Sequence, residues 1–172
     1  TGQLTGAPTR HAFDYVNFDA LVGALKNEGD ELVASGGARY KALYLGGSSR
    51  KMTLTALKRI AELAEGGATI VGMAPEGSPS LAGDAGEYAA LVAKLWPAVG
   101  EATVGKGRVI ASRDIEAVLG RIGVSPDFDY VGSPIAGSGG RGEIPFVHRK
   151  LEDGDSYFLV NRSGRAQSIE AH

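Results

Sequence analysis

The stretch from Tyr40 to Met73 alternates between strand-like and helical patterns of apolar residues. Tyr40–Leu45 and Ala68–Met73 are short apolar runs, typical of parallel strands that are covered on both faces. Between them a helical stripe is formed by Leu54, Leu57, Ala61 and Ala64, with Ile60 and Leu63 beside it. Thr53 can cap this helix through its hydroxyl, and Gly66-Gly67 can end it. The pattern therefore predicts a strand–helix–strand unit with a right-handed crossover.

Helical and strand-like segments continue on both sides of this unit. Helical spacing predicts helices over Phe18–Leu25, Tyr88–Trp96 and Ile115–Ile122, and short strands are predicted at Glu31–Ala34 and Arg108–Ala111. Strand and helix thus alternate three times. We expect an α/β fold of flavodoxin-like type, a doubly wound, mainly parallel sheet with flanking helices. The predicted core consists of Leu43, Leu45, Leu57, Ile60, Ile70, Val71, Leu91, Leu95, Val109, Ile110, Val118 and Leu119.

The C-terminal part follows different rules. After a stretch rich in glycine and proline, Ile144–Lys150 and Ser156–Asn161 read as two strands joined by a turn at Asp153-Gly154. The expected division is an arm over residues 1–13, the flavodoxin-like domain over 14–131, a glycine-rich linker over 132–143, and over 144–172 a β-hairpin that starts a β-sandwich. A lone hairpin is marginal in water, so we expect it to dock on the rest of the chain or to form a homodimer.

The composition of the chain argues against several classes of function. The chain has 172 residues, 43% of them hydrophobic, a formal net charge of -2 and no cysteine. This size allows one domain with a substantial core and a small appendage. The charge gives no general attraction to nucleic acid or to anionic membranes, and no apolar run approaches the ~20 residues of a membrane span. We predict neither a nucleic-acid nor a membrane partner, and the lack of cysteine excludes thiolate chemistry.

Two loops carry the candidate binding residues. Ser48, Ser49 and Arg50 follow the first strand of the central unit, and Ser78 and Ser80 follow the second. Ligands tend to bind at the carboxyl ends of parallel strands, so these five residues are candidates for ligand or interface contacts. The glycine and serine spacing fits neither a phosphate loop nor a nucleophile elbow, and an ordinary β-to-α turn is the competing interpretation.

The remaining polar residues give no catalytic or metal site. Asp127 and Asp129 would share a face of an extended segment, but they lie in a proline- and glycine-rich stretch that argues against an acid/base pair. None of the three histidines has a second ligand at metal spacing, and His148 reads as a solvated or hairpin-packing side chain. We therefore predict no catalytic residue, no metal and no cofactor.

Several motifs carry a family resemblance. The most specific is the run from Pro145 to Arg162, and the stretches Asp14–Leu21, Lys51–Thr53, Ser78–Leu81 and Pro126–Phe128 fit the same pattern. These segments resemble the region downstream of the catalytic barrel in large bacterial α-L-rhamnosidases of glycoside hydrolase family 106. The resemblance extends from about Asp14 to Ser163.

The resemblance implies a module that supports catalysis elsewhere. In that family an α/β module, like a class I glutamine amidotransferase or flavodoxin fold, leads into a β-sandwich, while the catalytic carboxylates and calcium belong to the barrel. An amidotransferase would carry a cysteine nucleophile, which is absent here. The implied function is a non-catalytic module of a secreted or periplasmic enzyme that cleaves terminal α-L-rhamnosides. Its implied partners are the barrel and β-sandwich of its own parent chain, and the parent's partner is a carbohydrate substrate.

Two alternatives stay open at this point. The chain could be a stand-alone α/β domain that binds a small ligand between loops 46–52 and 74–84. It could also be a small hydrolase that uses Ser48 or Ser49, which would need a base within hydrogen-bond reach of the serine.

Overall fold

The chain folds into two compact units. A computed structural model describes residues 6–81, 83–97, 100–132, 144–162 and 164–171. Unit 1 comprises Thr1–Ala7 and Tyr15–Val118, and unit 2 comprises Pro8–Asp14 and Leu119–His172. The expected domain boundaries stay a prediction, because most of the expected linker at 132–143 lies outside the described residues.

Unit 1 contains most of the regular structure. In chain order its elements are α1 (Phe18–Gly23), β1 (Leu25–Glu28), β2 (Glu31–Ala34), β3 (Arg39–Tyr40), β4 (Leu43–Tyr44), a 3-10 turn (Gly47–Arg50), α2 (Leu54–Gly66), β5 (Thr69–Val71), α3 (Ala85–Leu95), β6 (Glu101–Val104) and β7 (Gly107–Ile110). Strands β1, β2 and β3 form an antiparallel sheet in that order. Helix α4 (Ile115–Arg121) runs from unit 1 into unit 2.

The second sheet of unit 1 has four strands in the order β4-β5-β7-β6. Strands β4, β5 and β7 are parallel, with Leu43 opposite Ile70 and Ile70 opposite Val109. Strand β6 pairs antiparallel with β7 at the edge. Because β4, β5 and β7 run the same way, the loops that follow them all leave the sheet at one edge.

The predicted doubly wound, flavodoxin-like fold is wrong. The described residues form several small sheets with four helices, and many of the strand pairs are antiparallel. The run Tyr40–Leu45, predicted as one strand, bends at Lys41 and Ala42, so that β3 and β4 belong to different sheets. Helices α2 and α3 contact each other and both contact β6. They therefore lie on one face of the sheet, whereas a doubly wound fold has helices on both faces.

The edge strand β6 was not predicted from the sequence, and the reason lies in the turn that follows it. Gly105 and Lys106 form a two-residue turn between β6 and β7, with Gly105 at a φ of 60°. Glycine adopts this left-handed conformation without a Cβ clash, which makes it a typical residue of tight hairpin turns. A hairpin therefore occupies the position where the alternation of elements had predicted a helix-to-strand connection.

The core of unit 1 lies between α2 and the four-stranded sheet. Leu57, Ile70, Leu95 and Val109 are completely buried within one cluster. Of the predicted core residues, Leu45 and Leu91 are only partly buried. The other predicted core residues are buried. All three residues of β5 are buried, which confirms the prediction of a strand covered on both faces. Helix α2 also follows the prediction, since the Thr53 hydroxyl accepts a hydrogen bond from the Ala56 amide and Gly67 ends the helix at a φ of 128°.

The described residues of unit 2 contain four short strands. They are β8 (Tyr130–Gly132), β9 (Phe146–Lys150), β10 (Asp155–Leu159) and β11 (Ile169–Ala171). The predicted hairpin is confirmed, because β9 and β10 pair antiparallel with Phe158 opposite Val147. Strand β11 pairs with β8 and not with the hairpin.

Candidate functional site

A cleft in unit 1 lies at the carboxyl ends of the parallel strands. We call it the strand-end cleft. Its volume is about 630 Å³, and it is lined by Gly6, Tyr44, Leu45, Gly46, Gly47, Ser49, Arg50, Met73, Ala74, Glu76, Ser112 and Arg113. These residues are Tyr44 at the end of β4, the segments after β4, β5 and β7, and Gly6. Open α/β sheets bind ligands at this edge, and the volume is in the range of small-molecule sites.

One wall of the strand-end cleft is made by two loops that are tied together. Lys51 and Gly77 form an isolated parallel bridge, and the Glu76 amide donates to the Arg50 carbonyl at 2.7 Å. The Arg50 guanidinium also donates from two nitrogens to the two Glu76 carboxylate oxygens, each at 2.8 Å. Both side chains are mostly exposed. The loops after β4 and β5 are therefore joined by backbone and side-chain hydrogen bonds, and the Arg50–Glu76 ion pair lies on their surface.

The opposite wall is set by Tyr44 and the segment after β7. The Tyr44 hydroxyl donates to the Arg113 carbonyl at 3.0 Å, and the Ser112 hydroxyl accepts from the Asp114 amide at 3.1 Å. The Tyr44 ring also covers Gly46, where an added Cβ would lie 2.7 Å from the ring. This wall is thus held by hydrogen bonds to backbone groups, and it leaves the exposed Arg113 side chain at the rim.

The structure places the five candidate residues unevenly. Ser49 and Arg50 line the strand-end cleft, while nothing is described of the Ser48 side chain. Ser78 and Ser80 are exposed and do not belong to the lining, and the Ser78 hydroxyl accepts a hydrogen bond from the Ser80 amide at 3.1 Å. A contact with a ligand or an interface stays a prediction for all five.

The strand-end cleft offers polar contacts but little for nucleophilic catalysis. A serine nucleophile needs a base within hydrogen-bond reach. Of the histidines in the described residues, His11 and His148 both belong to unit 2, and the Glu76 carboxylate in the cleft is paired with Arg50. Across the described ranges, no group of three or more histidine, aspartate or glutamate side chains is placed to hold a metal ion. What the arrangement favours is binding of a polar ligand or contact with another surface.

A second cluster, in unit 2, was not predicted as a unit. His148 Nδ1 lies 2.8 Å from an Asp127 carboxylate oxygen, and its Nε2 lies 2.7 Å from an Asp155 carboxylate oxygen. The Tyr157 ring stacks on the imidazole with a centroid distance of 4.3 Å and an interplanar angle of 7°. The Tyr157 hydroxyl donates to the Asp127 carbonyl at 3.3 Å. We call the Asp127–His148–Asp155 arrangement the histidine bridge.

Both ring nitrogens of His148 in the histidine bridge lie against carboxylates. The hydrogen bond to Asp155 raises the pKa of His148 above 6.5, the Asp127 carboxylate adds to this, and partial burial opposes it. When His148 is protonated, both nitrogens donate to the carboxylates, and no lone pair is left to take a proton from a substrate. Asp127 and Asp129 have different partners, because Asp129 forms an ion pair with Arg10 while Asp127 contacts His148.

In the sequence, only the predicted hairpin pointed to this cluster. His148 and Asp155 are diagonal neighbours on the same side of the predicted hairpin, with His148 opposite Tyr157 and Asp155 opposite Lys150 in the register. Asp127 precedes them across the glycine-rich stretch, so no periodicity connects it with the hairpin.

Comparison with known proteins identifies the family. The profile of the α-L-rhamnosidase family (glycoside hydrolase 106) matches residues 1–172. A solved structure described as a rhamnosidase from Novosphingobium sp. PP1Y is similar at 54% identity with a TM-score of 0.87, over 97% of this chain and 16% of that one. No curated protein matches. The chain thus spans about one sixth of that rhamnosidase, and it belongs to the α-L-rhamnosidase family of glycoside hydrolases.

Proposed function

We propose that this chain is a non-catalytic accessory module of a larger α-L-rhamnosidase. The observation that carries the proposal is the coverage, since 97% of this chain matches only 16% of a rhamnosidase. The chemistry of the described residues supports it. The strand-end cleft has its carboxylate Glu76 paired with Arg50, and the histidine bridge has both ring nitrogens occupied. Glycosidase chemistry needs two carboxylates held ~5–10 Å apart across a cleft.

The module's partners are other domains of its parent chain, a catalytic barrel and a β-sandwich. Several apolar side chains support this part of the proposal. Val147 and Phe158 face each other on the outer side of the β9–β10 hairpin and are 53% and 68% exposed, and Tyr15 is 68% exposed. Apolar surface of this kind is typical of contact sites. The parent would act on a carbohydrate and be secreted or periplasmic. In the described part of this chain, no helix is long and apolar enough to cross a membrane.

Binding of a small ligand is the second candidate function. The observation in its favour is the strand-end cleft, with its tied loops, its planar ion pair and its volume of about 630 Å³ at the ligand-binding edge of the parallel strands. The two functions are compatible, because an accessory module can bind part of a polysaccharide. Saturable binding of rhamnose or an oligosaccharide, lost in Arg113→Gln, would support it.

Hydrolysis of an aryl α-L-rhamnoside tests the accessory function. We expect turnover by the full-length parent and none by the isolated 172-residue chain. Addition of the isolated chain to a parent that lacks this segment should raise the thermal stability of the parent. Turnover by the isolated chain that disappears in Glu76→Gln or Asp127→Asn would overturn the proposal. Secretion is checked separately, by locating the parent in the periplasm or medium.

A further inference from the structure

We propose that the histidine bridge is a pH-dependent contact. It keeps the β9–β10 hairpin closed over Phe128 and lets the hairpin open as the pH rises. The proposal concerns unit 2 alone and holds whether or not the accessory function does. It begins from the position of the three side chains. His148 lies on β9, Asp155 begins β10, and Asp127 belongs to the segment before β8. One imidazole therefore joins both strands of the hairpin to a separate part of unit 2.

The protonation state of His148 decides whether this junction holds. A neutral imidazole has one donor nitrogen and one acceptor nitrogen. With carboxylate oxygens at 2.8 Å and 2.7 Å, a neutral ring would turn a lone pair towards one of them. The imidazolium donates to both, and it also lies over the Tyr157 ring, a position that favours a cation. Loss of one proton thus converts two charge-assisted hydrogen bonds into one hydrogen bond and one repulsion.

The charged groups around the histidine bridge include two cations: Lys150 lies opposite Asp155 on the same side of the hairpin as His148, and Arg10 pairs with Asp129. Within the described residues, the groups that shift the titration of His148 are Asp155 and Asp127. Desolvation, with the two carboxylates, raises the pKa of Tyr157, so its phenol stays neutral through the range in which His148 titrates. Arg149 follows His148 on β9 and points to the opposite face, since successive side chains of a strand alternate.

Within the described residues, the strands of the hairpin are only slightly buried. All five residues of β10 are exposed, in contrast to the fully buried β5. The hairpin's other contacts with the segment 127–130 include the Tyr157 hydroxyl bond to the Asp127 carbonyl and ring contacts of Phe146 and Tyr157 with Phe128, at 5.2 and 5.8 Å between centroids. A local contact of this kind can open without unfolding of the rest.

The direction of the pH effect follows from linkage. The pKa of His148 is raised in the closed form, while in the open form it returns to its ordinary value of 6.5. The contribution of the histidine bridge is therefore complete below pH 6.5 and is lost as the pH rises through the raised pKa. Over that interval the opening equilibrium increases by up to tenfold per pH unit, the limit for one proton, and then levels off.

The test is a titration of the chain by NMR together with amide exchange in the hairpin. We expect the His148 ring to titrate above 6.5, and the amides of Val147 and Phe158 to show more frequent opening at pH 9 than at pH 6 after correction for intrinsic exchange. Asp155→Asn should lower the pKa of His148. The matched control is Asp153→Asn, which removes an exposed carboxylate from the same turn and should leave the titration unchanged.

The variant His148→Gln distinguishes this pH-dependent contact from simple packing of the His148 side chain. It should remove the pH dependence of hairpin opening while the amides of β5 exchange as before. A His148 pKa at or below 6.5 in the unmodified chain would overturn the proposal. So would an equal response to Asp153→Asn and Asp155→Asn, or a pH dependence that persists in His148→Gln.

Discussion

Strand β5 in unit 1 and strand β10 in unit 2 show two ways of holding a short strand in place. Every residue of β5 is buried, between parallel neighbours on both sides. Every residue of β10 is exposed, and its inner face rests on ring contacts and the histidine bridge. Aliphatic burial depends little on solution conditions near neutral pH, whereas a charge cluster responds to pH and salt. We therefore expect unit 1 to be the constant part of the module and unit 2 its adjustable part.

The largest effect should come from the core of unit 1. Leu57 on α2 is completely buried in the aliphatic cluster. Leu57→Ala should lower the free energy of unfolding by about 2–5 kcal/mol, because it removes apolar contacts and leaves a cavity. Circular dichroism in urea measures the change. Thr55→Ala, at an exposed position of the same helix, is the control and should change stability by less than about 0.5 kcal/mol. Equal losses in the two variants would mean that burial does not distinguish unit 1.

A smaller and local effect is expected at Phe128 in unit 2. This ring is 7% exposed and contacts Tyr130, Phe146 and Tyr157. Phe128→Leu keeps most of the volume and loses the ring contacts, so the hairpin should lose about 1–2 kcal/mol of local stability. Amide exchange in β9 and β10 reports this. Phe158→Leu, on the exposed face of the same hairpin, should have little effect. A large change in the exchange of β5 would contradict the independence of the two regions.

The smallest effect is expected at the ion pair of the strand-end cleft. Arg50 and Glu76 form two hydrogen bonds, but their side chains are 75% and 52% exposed. Arg50→Gln should therefore reduce thermal stability by about 0–1 kcal/mol, and less at high salt. Lys51→Gln removes a neighbouring exposed cation and serves as control. A loss comparable to that of Leu57→Ala would show that charge also sets the stability of unit 1.

Individual helices and turns could be predicted from the sequence where a single local pattern determines them. The α2 stripe, its Thr53 cap and its Gly67 stop were readable, because each acts within a few residues. The hairpin turn at Asp153-Gly154 was readable for the same reason. The arrangement of the strands into sheets could not be predicted in this way. Tyr40–Leu45 looks like one strand, and the bend that gives its two halves to different sheets depends on which partners pair with each half. Alternation of strand and helix therefore suggested a fold that tertiary pairing does not produce.

The candidate site was likewise predictable where it depends on local position and not where it depends on long-range contacts. Ser49 and Arg50, chosen for their loop positions after β4, line the strand-end cleft, because the carboxyl ends of parallel strands share an edge, while their contact with a ligand or interface stays a prediction. The pairing of Arg50 with Glu76 crosses from one loop to another, and the histidine bridge joins residues on both sides of the glycine-rich stretch. Contacts of this range leave no periodic signal in a single sequence.

The position of Trp96 gives the molecule its own optical reporter. It is the sole tryptophan of the sequence, it is 6% exposed, and its indole donates to the Gly72 carbonyl at 2.8 Å within unit 1. Its fluorescence should shift to longer wavelength when unit 1 unfolds and water reaches the indole. Unit 2 contains tyrosines and no tryptophan, so opening of the hairpin should leave this emission unchanged. Emission excited at the tryptophan band would then follow unit 1 alone, without any attached label.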